Sequence, residues 1–198
     1  MKKNTFMKKL LLLFAVFAFF VSCNKDDDPT PEPQISEIDK LPPATQTGAN
    51  KVGCLVNGKA FLPKGSYPGG GNPNPYCAYY HDNFVLSFAI VRNENNTSME
   101  GSELIALYSK DVLLEEGNTY ILKKGISNHS AIYSLSSLSN PESYETNENY
   151  TGELHITKLD KNNNIISGTF WFDAVNEQGK KVEVREGRFD MVFEGWAG

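Results

Sequence analysis

Apolar and polar side chains alternate along the second half of the chain, and alternation of period two predicts strands. In YTGELHITKL (150–159), Leu154 and Ile156 fall on one face and Glu153 and His155 on the other. In NIISGTFWFDAV (164–175) the core face is Ile166, Gly168, Phe170, Phe172 and Ala174, which leaves Trp171 outside with Thr169 and Asp173. The closing stretch KVEVREGRFDMVF (181–193) breaks its own rhythm. Val182 and Val184 belong to the core, yet so do Phe189, Met191 and Phe193, which have the opposite parity. One extra residue near Glu186-Gly187, a β-bulge, restores the phase. Turns at DKNNN and NEQGK then set Glu153, Trp171 and Arg185 in one outward row across three strands.

Shorter runs of the same kind precede these. GCLVNGKAF places Asn57-Gly58 between two apolar runs, the strongest short-range hairpin signal. FVLSFAIVR (84–92), ELIALYS (103–109), NTYILKK (118–124) and SAIYSLSS (130–137) are β-rich and bounded by polar turns. Only DVLLEEG (111–117) suggests a helical turn, and no stretch keeps a 3.6-residue period. The expectation is a single all-β domain over 49–198, an antiparallel β-sandwich or partly closed barrel of about eight to ten strands.

The amino terminus has a different texture. Lys2, Lys3, Lys8 and Lys9 precede an unbroken apolar run, Leu10 to Val21. As a helix that run spans roughly 18 Å, short of a hydrocarbon core of roughly 30 Å. Residues 1–22 therefore read as a cleaved export signal. From 23 to 48 the chain is rich in Pro and acid, with prolines at 29, 31, 33, 42 and 43, and it is expected to be a disordered tether. Losing the four leader lysines leaves 15 of the 19 basic residues against 24 acids, so the formal charge falls from −5 to −9. Nucleic acid is excluded as a partner, because phosphate neutralisation needs clustered Lys and Arg.

Candidate chemistry is sparse. Cys54 and Cys77, exported to an oxidising compartment, are expected to form a disulfide worth about 3 kcal/mol; two buried thiols are the alternative. No zinc-protease, nucleophile-elbow, phosphate-loop or dinucleotide motif occurs, and His81, His129 and His155 lie in separate segments. No cofactor, metal or catalysis is expected, although a paired-carboxylate hydrolase stays open as a further alternative. Aromatic residues carry the rest. The cluster Tyr76, Tyr79 and Tyr80 in YCAYYH, which Tyr67 precedes, together with Trp171 and Arg185, supplies candidate ligand residues for a glycan or an envelope protein. The alternative is that the tyrosines fill a sheet edge and that Arg185 merely stacks on the indole.

Two resemblances add an address. Ser22-Cys23 after the apolar run resembles the lipobox of bacterial lipoproteins, which implies lipidation of Cys23 and attachment to the membrane through that anchor. NKDDD directly after it resembles an export tag of Bacteroidota lipoproteins, which implies the outer membrane, on its periplasmic face or at the cell surface. LPPATQTGANKVGCLVNGKAFLPKG (41–65) is similar to the opening of an uncharacterised lipoprotein family of those bacteria, and ISGTFWFDAVNEQGKKVEVREGRFD (166–190) to its closing hairpin. That likeness implies an all-β extracytoplasmic domain and no particular activity. The combined expectation is a non-catalytic interaction or envelope module, with a glycan-binding module as the alternative.

Overall fold

The computed structural model describes residues 35–65, 73–80, 85–93, 100–125, 128–137 and 139–195. The leader, Cys23, the acidic run, Tyr67 and His81 lie outside the described residues. The strands are β1 (Lys51–Val56), β2 (Lys59–Phe61), β3 (Tyr76–Tyr80), β4 (Val85–Arg92), β5 (Glu103–Ser109) and β6 (Thr119–Leu122). They continue as β7 (His129–Leu135), β8 (Glu142–Glu145), β9 (Gly152–Asp160), β10 (Ile165–Val175) and β11 (Lys181–Val192). All the strand pairs are antiparallel, and the chain is all-β as its alternation predicts.

The strands form one sheet of 11, in the order β2-β1-β11-β10-β8-β7-β5-β4-β3, with β9 and β6 branching from β10. It is one sheet and not two packed face to face. Isolated parallel bridges, Lys64–Arg92 and Ala78–Glu194, bring its β3–β4 end beside the chain that follows β2 and β11. The sheet thus curls round a single core without closing into a barrel. Three local details depart from expectation. β8, with Tyr144 as its one buried apolar side chain, is too short and polar to announce itself. Residues 111–117 contain turns but no helix, because Leu114 alone is buried there and no apolar face exists to dock. Among the described residues the one helical turn, a 3-10 turn at Ile38–Lys40, falls instead in the expected tether.

Local chemistry explains the register. Asn57 and Gly58 adopt φ of 48° and 78°, the left-handed pair of a tight hairpin turn, and join β1 to β2. Between β10 and β11 the pairing moves from Phe170↔Gly187 to Phe172↔Val184, so Arg185 and Glu186 together oppose Trp171. Glu186 takes φ 54°, and the bulge stands where the parity conflict requires it. Val182 and Val184 on one side of it, and Phe189, Met191 and Phe193 on the other, all enter the same buried cluster with Phe170, Phe172 and Ala174. Burying side chains of this size stabilises by roughly 1.5–3 kcal/mol each.

The domain begins earlier than expected. The boundary read at residue 48 moves back, since Ile35 to Gly198 is one compact unit. Leu41 is buried, and the Glu37 carboxylate accepts the Ala60 N–H at 2.7 Å, occupying a donor on β2. The larger cause is Asp190, 1 % exposed, whose carboxylate accepts hydrogen bonds from a whole loop. Thr45 Oγ1 (2.7 Å), Thr47 N–H (2.9 Å), Thr47 Oγ1 (3.2 Å), Gly48 N–H (2.7 Å), Ala49 N–H (3.2 Å) and Ser167 Oγ (2.8 Å) all donate to it. A buried acid draws in 45–49 because its desolvation must be offset by donors, and this segment supplies five of them. Composition marks the segment as tether; one acid 141 residues further on makes it fold.

Candidate functional site

The outer face of β9, β10 and β11 carries an open concavity of about 470 Å³. Two rows of side chains form its floor. In the first, Trp171 lies opposite Glu153, and its indole Nε1–H donates to Glu153 Oε2 at 3.2 Å. The Arg185 guanidinium sits over the indole at 5.4 Å from the ring centroid, within cation–π range. The row read from parity is therefore present, and so is the Arg–Trp stack. In the second row Thr169 lies between His155 and Arg188. Ala44, from the loop held by Asp190, adds a wall.

Arg185, a candidate ligand residue, is engaged largely within the fold. Nη1 donates to the carbonyls of Phe172 (3.1 Å) and Val184 (2.9 Å), and Nη2 pairs with Asp173 at 2.6 Å. It tethers the bulge and props the indole. Arg188, which parity reasoning left unremarked, is the less committed cation. It contacts Glu186 through Nε, at 3.4 Å from the carbonyl, and through Nη2, at 3.8 Å from the carboxylate, both long. His155 shares a 3.0 Å hydrogen bond between Nδ1 and Thr119 Oγ1, which directs Nε2 away from β6. The outward parity of His155 and Thr169 was readable in the sequence; the value of Arg188 depends on the bulge geometry.

The tyrosine cluster divides. Tyr79 is fully buried, packs edge-on to Phe193 at 5.8 Å between centroids, and accepts the Leu114 N–H at 2.9 Å on its hydroxyl. It is a core residue and not a ligand residue, because it shares its strand face with Cys77. Tyr76 and Tyr80 occupy the other face, their hydroxyls 3.5 Å apart. That contact, with burial added, pushes the Tyr76 phenol up to about 12. Neither lines the Trp171 concavity, since β3 lies at the far end of the strand order from β10.

Cys54 and Cys77 are free, buried thiols and not the expected disulfide. They belong to β1 and β3, which are not neighbours in the sheet, and each side chain fills the common core. Burial pushes both thiols up, well away from reactive thiolate. His129 is likewise a core group, tilted against Tyr120 at 4.9 Å, with its protonation disfavoured by burial.

Neither curated proteins nor solved structures gave a match to the chain. A family model described as Domain of unknown function (DUF6252) matches residues 89–192, a stretch that contains β9, β10, β11 and the Trp171 surface but stops short of 41–65. The match spans more than half of the chain, which belongs to that family.

Proposed function

We propose that the chain is a lipid-anchored extracytoplasmic binding module, attached at the outer membrane through Cys23 and acting without catalysis. Its working surface is the Trp171 concavity, and its ligand is a component of the cell envelope or its surroundings. One observation carries this reading: Trp171 lies half-buried on the polar face of β10, held there by Glu153 and Arg185. An indole fixed in this way presents an apolar, pre-organised face on an otherwise polar surface. The fixed ring, with hydrogen-bonding groups on either side, suits a ligand that is flat on one side and polar at its rim.

A glycan fits that description better than a protein partner. The lining includes the carboxylates of Glu153 and Glu186, and acidic side chains are depleted in protein interfaces. Sugar C–H groups lie favourably on the negative face of an aromatic ring, and hydroxyls use donors and acceptors equally. The test is capture of envelope polysaccharide by the purified full chain, compared with Trp171→Ala. Capture by the wild type with loss of about tenfold or more in the variant supports the surface, being roughly one stacked aromatic contact. Equal capture by both proteins would remove Trp171 from the site.

A further inference from the structure

We infer that the sugar held at the Trp171 surface is acidic, a pyranose bearing a carboxylate, with Arg188 as the group that recognises the charge. The inference rests on the binding reading above and narrows it to a ligand class. Its starting point is the unequal use of two neighbouring arginines. Arg185 spends its donors on two carbonyls and the Asp173 carboxylate. Arg188 faces the same concavity with only the two long contacts to Glu186. The Glu186 side chain is 54 % exposed, against 22 % for Arg188, and stands 3.8 Å away, too far for a hydrogen bond, so it neutralises the fork weakly.

Spacing matches the chemistry. Trp171 and Thr169 point the same way on β10, two residues apart, about 6.8 Å along a strand. Thr169 pairs with Arg188 on one side and His155 on the other, so cation, hydroxyl and imidazole form a line beside the indole. A hexuronate stacked on the indole carries its carboxylate at the edge of its ring, and a charge-assisted hydrogen bond of about 2.8 Å extends from there towards that line. A planar guanidinium accepts a planar carboxylate through two parallel hydrogen bonds, whereas a neutral hydroxymethyl group at the same place offers one acceptor. Thr169 is exposed and can donate to the carboxylate or to a ring hydroxyl.

The experiment is calorimetric titration of the purified full chain with a tetragalacturonide and with the same tetrasaccharide after reduction of its carboxyls. The acidic form is expected to bind about tenfold or more tightly, with the difference shrinking as salt is raised. Arg188→Gln should abolish the preference, weakening the acidic sugar about tenfold or more and the neutral sugar, which loses a single hydrogen bond, by less. Arg188→Lys, which keeps the charge and loses the fork, should retain only a small part of it, and melting curves confirm that each variant folds. Trp171→Ala should weaken both sugars alike. Equal binding of the two sugars would overturn the acidic assignment and leave the Trp171 surface standing. Binding of neither would overturn the assignment as well, and a preference that survives in both Arg188 variants would move the charge recognition elsewhere.

Discussion

Asp190 shows how much one side chain can organise. Burial alone would raise its pKa, but donors from Thr45, Thr47, Ser167 and Gly48 outweigh that penalty and hold the carboxyl well below the usual range. A depressed folded-state pKa means stability that is fully present above the unfolded value of about 3.9 and lost as pH falls towards the folded value. Asp190→Asn places an amide against backbone N–H groups that need an acceptor, and it should cost about 2–4 kcal/mol at neutral pH. Denaturant melts from pH 7 downward provide the check. The gap between wild type and variant should be widest near neutrality and close below about pH 4. A constant gap would mean that shape, and not charge, sets the effect. Sequence alone hides this residue, since an aspartate in the middle of a core strand looks like a solvent-facing position until its donors are known.

At the scale of the element, the strands were legible because their side chains alternate, and even the bulge in β11 follows from a parity conflict in one segment. What stayed hidden depends on partners. β8 is four residues long and pairs with β10 only at Val175↔Glu145. A second irregularity, in β9, carries Thr157 past β10 between Ile156 and Lys158, and Gln46 Nε2 donates to the Thr157 carbonyl at 3.2 Å. Nothing in 150–159 alone announces it. The β11 bulge can be tested by substitution. A Cβ on Gly187 would stand 2.5 Å from the Phe170 carbonyl oxygen and 2.6 Å from its ring, so Gly187→Ala should destabilise by about 1–3 kcal/mol and disturb the Trp171 floor. Glu186→Gly relieves a left-handed non-glycine residue worth about 1 kcal/mol, so it should be neutral or stabilising despite the lost side chain. Thermal melts of the pair decide it. If Gly187→Ala is harmless, the bulge relaxes more easily than this packing allows.

At the scale of the whole molecule, the segment before β1 contributes to the proposed binding surface. Composition places the end of the tether at residue 48, yet Glu37 bonds to β2, Leu41 is buried and 45–49 enclose Asp190. Ala44 lines the Trp171 concavity. The segment before β1 thus builds one wall of the proposed site. Deleting 24–34 should leave the melting temperature and glycan capture unchanged. Deleting 35–48 should lower stability by about 2–4 kcal/mol, because it removes four of the six donors to Asp190 together with buried Leu41 and the Glu37 bond to β2. Both deletions keep Cys23, so both proteins should stay in the membrane fraction, whereas Cys23→Ala should appear in the soluble one. Fractionation and melting thereby separate the two roles of the amino-terminal region. An unchanged melting temperature after removal of 35–48 would show that the fold begins at β1 and that the loop only leans on it.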